Sequence, residues 1–120
     1  MDTQSTVTTN TGIKMIGKPV STELPKVKDS NVNLRDRIND ALLTEKHNLV
    51  SYQTGINEII NDDLRKVVID NRNNLQSMQV NFFNELFNLG EYQAEAVGSP
   101  QIKDTYTVFN NYKSQLPPMR

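Results

Sequence analysis

The sequence contains no cysteine, only one histidine, and no long apolar run. Without cysteine, disulfide bonds and thiol chemistry are excluded. No stretch approaches the roughly 20 apolar residues that a transmembrane helix needs. The formal net charge is −1, so the composition does not favour binding to nucleic acid. A chain of 120 residues with these properties is expected to form one small domain.

The first half of the long segment 34–90 has apolar residues at helical spacing. From Leu34 they recur in steps that alternate between three and four, which predicts a helix and not a strand. One position of this stripe is a carboxylate, Glu45. Asn33 is a suitable N-cap, and Asp36 stands where a capping-box acid belongs. We predict a helix over about 33–60, with these residues on its stripe: Ile38, Leu42, Leu49, Tyr52, Ile56 and Ile59.

The second half of the segment predicts another helix, over about 62–89. Asn61, Asp62 and Asp63 supply the turn and the next cap, and Gly90 is suited to a left-handed residue after the helix. The apolar pattern predicts a stripe with one polar member, Asn71, and these residues: Leu64, Val67, Val68, Asn71, Leu75, Met78, Phe82, Leu86 and Leu89. Two such helices are expected to pair as an antiparallel hairpin.

Four apolar residues beside the stripes are expected to stay partly uncovered in a lone hairpin: Val50, Val80, Phe83 and Phe87. Partly exposed apolar area of this kind usually marks a contact surface. A second copy of the hairpin would complete a four-helix bundle. We therefore expect a homodimer or a larger homo-oligomer, with a third helix of the same chain as the competing cover.

A third helix is predicted over about 100–115. Ser99 followed by Pro100 is a start signal, and Pro117 and Pro118 end the helix before a short tail over 117–120. One face carries Ile102, Tyr106, Phe109, Tyr112 and Leu116. We expect that face to pack on the hairpin.

Residues 1–32 differ in character from the rest. They are rich in threonine, with few charges before Lys14 and prolines at 19 and 25, a composition that cannot build a core alone. The segment is either a disordered tail or an extended arm that docks on a neighbouring subunit, where it could add a strand. The docking residues would be Val7, Ile13, Met15 and Ile16.

No catalytic constellation is present. His47 lies near Glu45, but a ferritin-like di-metal site needs two Glu-x-x-His pairs, and Asn48 stands where the first pair would need its histidine. Glu45 and His47 are therefore only weak metal candidates, and we predict no cofactor and no enzymatic activity. Glu45 is expected to hydrogen-bond Asn74 or Ser77 across the hairpin, or to reach solvent at its edge.

Residues 38–52 resemble the first helix of the spore coat F family of endospore-forming bacteria. The family's pattern of an aspartate, a leucine and then Glu-Lys-His is matched at Asp40, Leu42 and residues 45–47. The stretch 62–65 resembles the opening of the family's second helix, and 89–92 resembles its end. The resemblance covers about 34–92 and leaves the threonine-rich segment outside.

This resemblance implies an all-α protein with a ferritin-like helical hairpin, built into the layered spore coat. We therefore expect a structural protein that associates with copies of itself and with other coat proteins through hairpin faces; the N-terminal arm, to which the resemblance does not extend, is a further candidate contact. The alternative is a ferritin-like metal-binding or redox protein. Because the N-terminus lacks the pattern of a secretory signal, we expect synthesis in the cytosol and assembly into the coat.

Overall fold

The computed structural model describes residues 1–25 and 29–118, so the predicted arm and tail lie partly outside the described residues. The chain is mostly helical, with two long helices packed together and a small antiparallel sheet. In chain order its elements are β1 (Thr6–Thr8), β2 (Lys14–Ile16), α1 (Leu34–Glu58), α2 (Asp62–Asn88), β3 (Ala94–Glu95), α3 (Ser99–Asn111) and a 3-10 turn (Tyr112–Gln115).

The predicted hairpin of α1 and α2 is confirmed. On both helices the less exposed residues recur in alternating steps of three and four, as in a coiled-coil seam. We call these the seam residues: Arg35, Ile38, Leu42, Glu45, Leu49, Tyr52, Ile56 and Ile59 on α1, and Arg65, Val68, Arg72, Leu75, Gln79, Phe82, Leu86 and Leu89 on α2. The buried core is small. Among the described residues, the buried hydrophobic side chains are Leu42, Ile56, Leu86 and Phe87.

The stripe predicted for α1 is correct from Ile38 onward, but its first member, Leu34, is 55% exposed, and several positions predicted for the α2 stripe are wrong. Leu64, Val67 and Met78 are exposed, and Asn71 is exposed as well. The seam passes instead through Arg72 and Gln79, whose long side chains can cover apolar surface with their stems and keep their polar ends in water. A pattern of apolar residues alone does not reveal such positions.

The helix ends follow local chemistry. Asn33 Oδ1 accepts a hydrogen bond from the Asp36 amide at 3.1 Å, and Asp36 Oδ2 accepts one from the Asn33 amide at 3.1 Å, so the predicted capping box is present. At the start of α2 the cap is Asn61, whose Oδ1 accepts from the Leu64 amide at 2.9 Å. Arg65 closes the turn, because its Nη2 donates to the Ile59 carbonyl at 2.6 Å.

The described part of the N-terminal segment contains two short strands, which corrects the all-α class. β1 and β2 form an antiparallel hairpin in which Val7 pairs with Met15, and β3 adds on the other side of β2, pairing Met15 with Glu95. The threonine-rich strand thus finds its partner in the same chain. Docking of this segment on a neighbouring subunit stays a prediction, since β1 lies at an edge of the sheet.

A close backbone crossing joins this segment to the end of α2. Gly90 has a φ of +73°, as predicted for the residue that ends the helix. A Cβ on Gly90 would overlap the Pro19 carbonyl oxygen and lie 2.6 Å from Val20 Cα. The Ser21 amide donates to the Leu89 carbonyl at 2.8 Å. Glycine is therefore required here for two reasons, its left-handed conformation and the space it leaves.

The expectation that the third helix packs on the hairpin is wrong. α3 begins at Ser99, one residue earlier than predicted, with Gly98 as its cap. No tertiary contact joins α3 to α1 or α2 within the described residues, and all of its residues are exposed. The radius of gyration is 20.2 Å, against about 14 Å for a compact chain of this length.

None of the helices in the described part of the chain combines the length and the apolarity needed to cross a membrane.

Candidate assembly surface

Three exposed valine and leucine side chains lie on one side of the hairpin. Leu43, Val50 and Val80 each follow a seam residue by one position. In two antiparallel helices that face each other, residues one step past the seam are displaced by about 100°, clockwise in one helix and counter-clockwise in the other when both are viewed along the same axis. They therefore lie on the same side of the pair. We call the surface formed by Leu43, Val50 and Val80 the outer face.

The exposures of the four predicted hairpin interface residues differ. Val50 is 67% exposed and Val80 is 43% exposed, while Phe83 is partly covered. Phe87 is only 3% exposed, so the expectation that it stays available for a partner is wrong. Phe83 and Phe87 also follow seam residues and so continue the outer face toward the end of α2, where the same chain covers them.

The cover over Phe83 comes from the segment after α2. The Tyr92 ring lies edge-on to the Phe83 ring, with centroids 4.3 Å apart and an interplanar angle of 70°, which is a favourable aromatic geometry. Lys46 Nζ lies 5.7 Å from the Tyr92 ring centroid, within reach of a cation–π contact. A cavity of about 250 Å³ borders this tyrosine and is lined by Asn39, Leu42, Leu43, Lys46 and Tyr92. The outer face is open beyond that point.

The predicted docking residues of the N-terminal segment lie in the small sheet. Val7, Met15 and Ile16 are half-buried there, whereas Ile13 is 46% exposed at the β1–β2 turn. The first turn of this segment is tied locally, since Ser5 Oγ donates to Asp2 Oδ2 at 2.5 Å. That hydrogen bond lowers the pKa of the Asp2 carboxyl below its usual value. Of the four, only Ile13 presents substantial apolar surface to a partner.

A second apolar surface lies on α3. We call it the α3 face, and it consists of Ile102, Tyr106, Phe109, Tyr112 and Leu116, all at least 54% exposed. A shallow apolar cavity of about 430 Å³ opens along it. The predicted helix over 100–115 is shorter in the structure, since α3 ends at Asn111, and Tyr112 and Leu116 lie in and just after the 3-10 turn that follows it. Within the described chain, nothing covers the α3 face.

Glu45 and His47 do not form a metal site together. Glu45 lies in the seam, and its Oε2 is buried without a hydrogen-bond partner among the described residues, so the predicted bonds to Asn74 or Ser77 are absent. His47 is exposed two positions later, about 200° further round the helix. The described residues contain no group of three His, Cys, Asp or Glu side chains that could hold a metal ion.

Two features of this region were missed from the sequence. Arg35 and Glu91 form a largely buried ion pair, with Nη1 and Oε1 3.1 Å apart, and Arg35 Nη1 also donates to the Pro25 carbonyl at 3.1 Å. From the sequence, Tyr92 is only the last residue of the stretch 89–92, and its contact with Phe83 is not indicated. A signal was present for Arg35, because it continues the seam spacing one step before Ile38.

The family model that matches this chain is the Coat F domain, over residues 33–95. This range is more than half of the chain and contains both hairpin helices, Tyr92 and β3. The chain belongs to the Coat F family. The resemblance seen in the sequence is therefore confirmed, and the match extends slightly beyond α2 to the segment that covers Phe83.

Membership of the Coat F family, a structural family of the spore coat, suggests a spore coat protein. The chain is also similar to "Uncharacterized protein YusN" of Bacillus subtilis (strain 168), with 27% identity over 96 residues, which cover 80% of this chain and 87% of the relative. No solved structure matches the chain.

Proposed function

We propose that this protein is a non-enzymatic building block of the spore coat, which assembles with copies of itself and with other coat proteins through the outer face. The main support for the proposal is the large solvent-accessible surface area of the single chain. The chain exposes 9607 Å², whereas a compact monomer of 13.7 kDa exposes about 6,600 Å². Much of the difference lies on an extended hairpin and an isolated helix with apolar faces.

The small core supports the same proposal. Only four hydrophobic side chains are buried among the described residues, while the outer face and the α3 face remain in water. Association that covers these faces adds hydrophobic stabilisation of about 25 cal/mol per Å². The second copy could cover the outer face with its own hairpin, which would complete the four-helix, ferritin-like bundle, or with another element.

Charge substitutions on the outer face test self-assembly. Val50 and Val80 are exposed in the single chain, so V50K/V80K should fold with unchanged helical content and lose oligomer mass in sedimentation analysis. The matched control is S51K/N81K, because Ser51 and Asn81 are exposed neighbours on the other side of the hairpin. The proposal fails if V50K/V80K assembles as well as the control.

The competing function, a ferritin-like metal-binding or redox protein, is tested by elemental analysis. The donor set does not fit such a site, because the seam supplies Glu45 and no second acidic or histidine ligand beside it. We expect protein purified without chelators to hold iron, manganese and zinc well below one atom per chain. A stoichiometric metal that survives dialysis and is lost in Glu45→Gln would favour the competing function.

A further inference from the structure

The α3 helix is not expected to be stable without a packing partner. It has 13 residues, and isolated helices of that length are marginal in water even when they are rich in alanine. Its sequence includes Ile102, Thr105, Thr107 and Val108, which are β-branched residues with lower helix propensity. No residue of α3 is buried. A helix with this composition requires a partner that covers its apolar face.

The start of α3 is tied to the small sheet. β3 pairs with β2 through Glu95 and Met15, and the Ala96 amide donates to the Lys14 carbonyl at 3.0 Å. Only residues 97 and 98 then separate this bond from α3. Within the described residues α3 makes no contact with its own hairpin, so its apolar face is open to a partner.

We propose that the α3 helix of one copy docks on the outer face of a second copy, so that two copies exchange their third helices. This inference rests on the proposed self-assembly and names the element that performs it. A hairpin-to-hairpin contact would cover the outer face but leave α3 without support. Exchange covers both unpartnered apolar surfaces at once, and exchange of an identical element is a low-cost route to a dimer.

The available area is sufficient for a stable dimer. Aromatic side chains bury about 150–250 Å² each, so the three aromatics of the α3 face, each more than half exposed, offer on the order of 300 Å². With Ile102 and Leu116 the face offers about 450 Å². A docked α3 face covers a comparable area of the surface that receives it, so a reciprocal exchange, with two docked α3 faces, would bury about 1,800 Å² in total, which lies within the range of specific interfaces.

Cross-linking between two single-cysteine variants tests the exchange directly, because the natural chain has no cysteine. Val50→Cys places a thiol on the outer face, and Asn110→Cys places one beside Phe109 on α3; both positions are exposed. The two variants carry different mass tags, are unfolded together, refolded as a mixture and treated with a short bis-maleimide reagent. We expect a product that joins the two tags, several-fold more abundant than with the control Ser51→Cys in place of Val50→Cys.

Other outcomes separate failure of the exchange from failure of the proposed function. If the mixture is oligomeric but yields only Val50→Cys homodimers, hairpins pair with each other and the exchange is overturned, while self-assembly stands. If the double variant V50C/N110C cross-links within one chain, α3 docks on its own hairpin and the exchange is also overturned. If every variant and the natural chain are monomeric, the proposed self-assembly itself fails.

Substitutions on α3 provide a second readout in the full chain. Truncation of a central aromatic anchor commonly weakens an interface by a factor of about 30 or more, so Y106S/F109S should raise the dimer dissociation constant at least that much. Asn111→Ser is the control, because Asn111 is exposed and lies about 140° from Tyr106 and about 160° from Phe109 round the helix. An unchanged dissociation constant in Y106S/F109S would overturn the exchange.

Discussion

Arg35 and Glu91 form an ion pair that joins the first turn of α1 to the residue after Gly90. Arg35 Nη1 lies 3.1 Å from Glu91 Oε1, and the two side chains are 13% and 16% exposed. The same nitrogen donates to the Pro25 carbonyl at 3.1 Å. One guanidinium therefore holds together three parts of the chain: the N-terminal segment, α1 and the end of the hairpin.

Arg35→Met should destabilise the fold by about 1–3 kcal/mol, since it leaves the largely buried Glu91 carboxylate without its donor and removes the exposed hydrogen bond to the Pro25 carbonyl. Methionine keeps most of the apolar stem, so lost packing contributes little. The free energy of unfolding is measured by urea titration at one fixed protein concentration, because assembly would otherwise shift it.

The control for that experiment is Lys66→Met. Lys66 Nζ and Asp70 Oδ2 are 3.6 Å apart, with side chains 80% and 61% exposed. Exposed pairs of this kind contribute about 0.5 kcal/mol or less. Equal costs for Arg35→Met and Lys66→Met would show that the Arg35 pair does not hold the three parts together.

Gly90→Ala should cost about 2–4 kcal/mol, because it forces a side chain into a left-handed conformation and into the backbone of Pro19 and Val20. The N-terminal segment would have to move away, so the Ser21 amide, which is bonded to the Leu89 carbonyl, should lose protection from hydrogen exchange. Both effects are measured on the same variant, by urea titration and by exchange.

Gly55→Ala is the matched substitution with the opposite expected sign. Gly55 lies inside α1, and a Cβ there would meet nothing within 4 Å. Alanine should therefore stabilise the helix by about 0.5–1 kcal/mol. A loss of stability would mean that another backbone approaches this glycine in the assembled protein.

Much of the hairpin could be predicted from the sequence, because its signals are local. The capping box at Asn33 and Asp36, the turn at Asn61 and the left-handed Gly90 each depend on neighbouring residues. The phase of α2 could not be predicted in full, because its seam includes Arg72 and Gln79. Amphipathic side chains of this kind are polar in any hydropathy pattern even where their stems are covered.

The sheet and the position of α3 depend on contacts distant in sequence, which explains why they were not predicted. β2 lies between a strand eight residues earlier and one about 80 residues later, and β3 has only two residues. No local pattern identifies so short a strand. The residues of the α3 face were recognised, but periodicity shows only that a face is apolar and not which molecule covers it. The outer face as an interface stays a prediction.

The phase of the α2 seam is tested by two leucine truncations. Leu86 is fully buried and Leu64 is 54% exposed. Leu86→Ala should cost about 3–5 kcal/mol through lost burial and the cavity it leaves. Leu64→Ala should cost less than about 1 kcal/mol, as at other exposed positions. Urea titration of both variants decides the phase, and a larger cost at Leu64 would contradict the seam described here.

The mass of the unsubstituted 120-residue chain in solution tests the central claim most directly. Sedimentation equilibrium at micromolar concentration should give at least twice the chain mass of 13.7 kDa, since the outer face and the α3 face are covered only when copies associate. A homogeneous 13.7 kDa particle across that concentration range, with no larger species, would contradict the account.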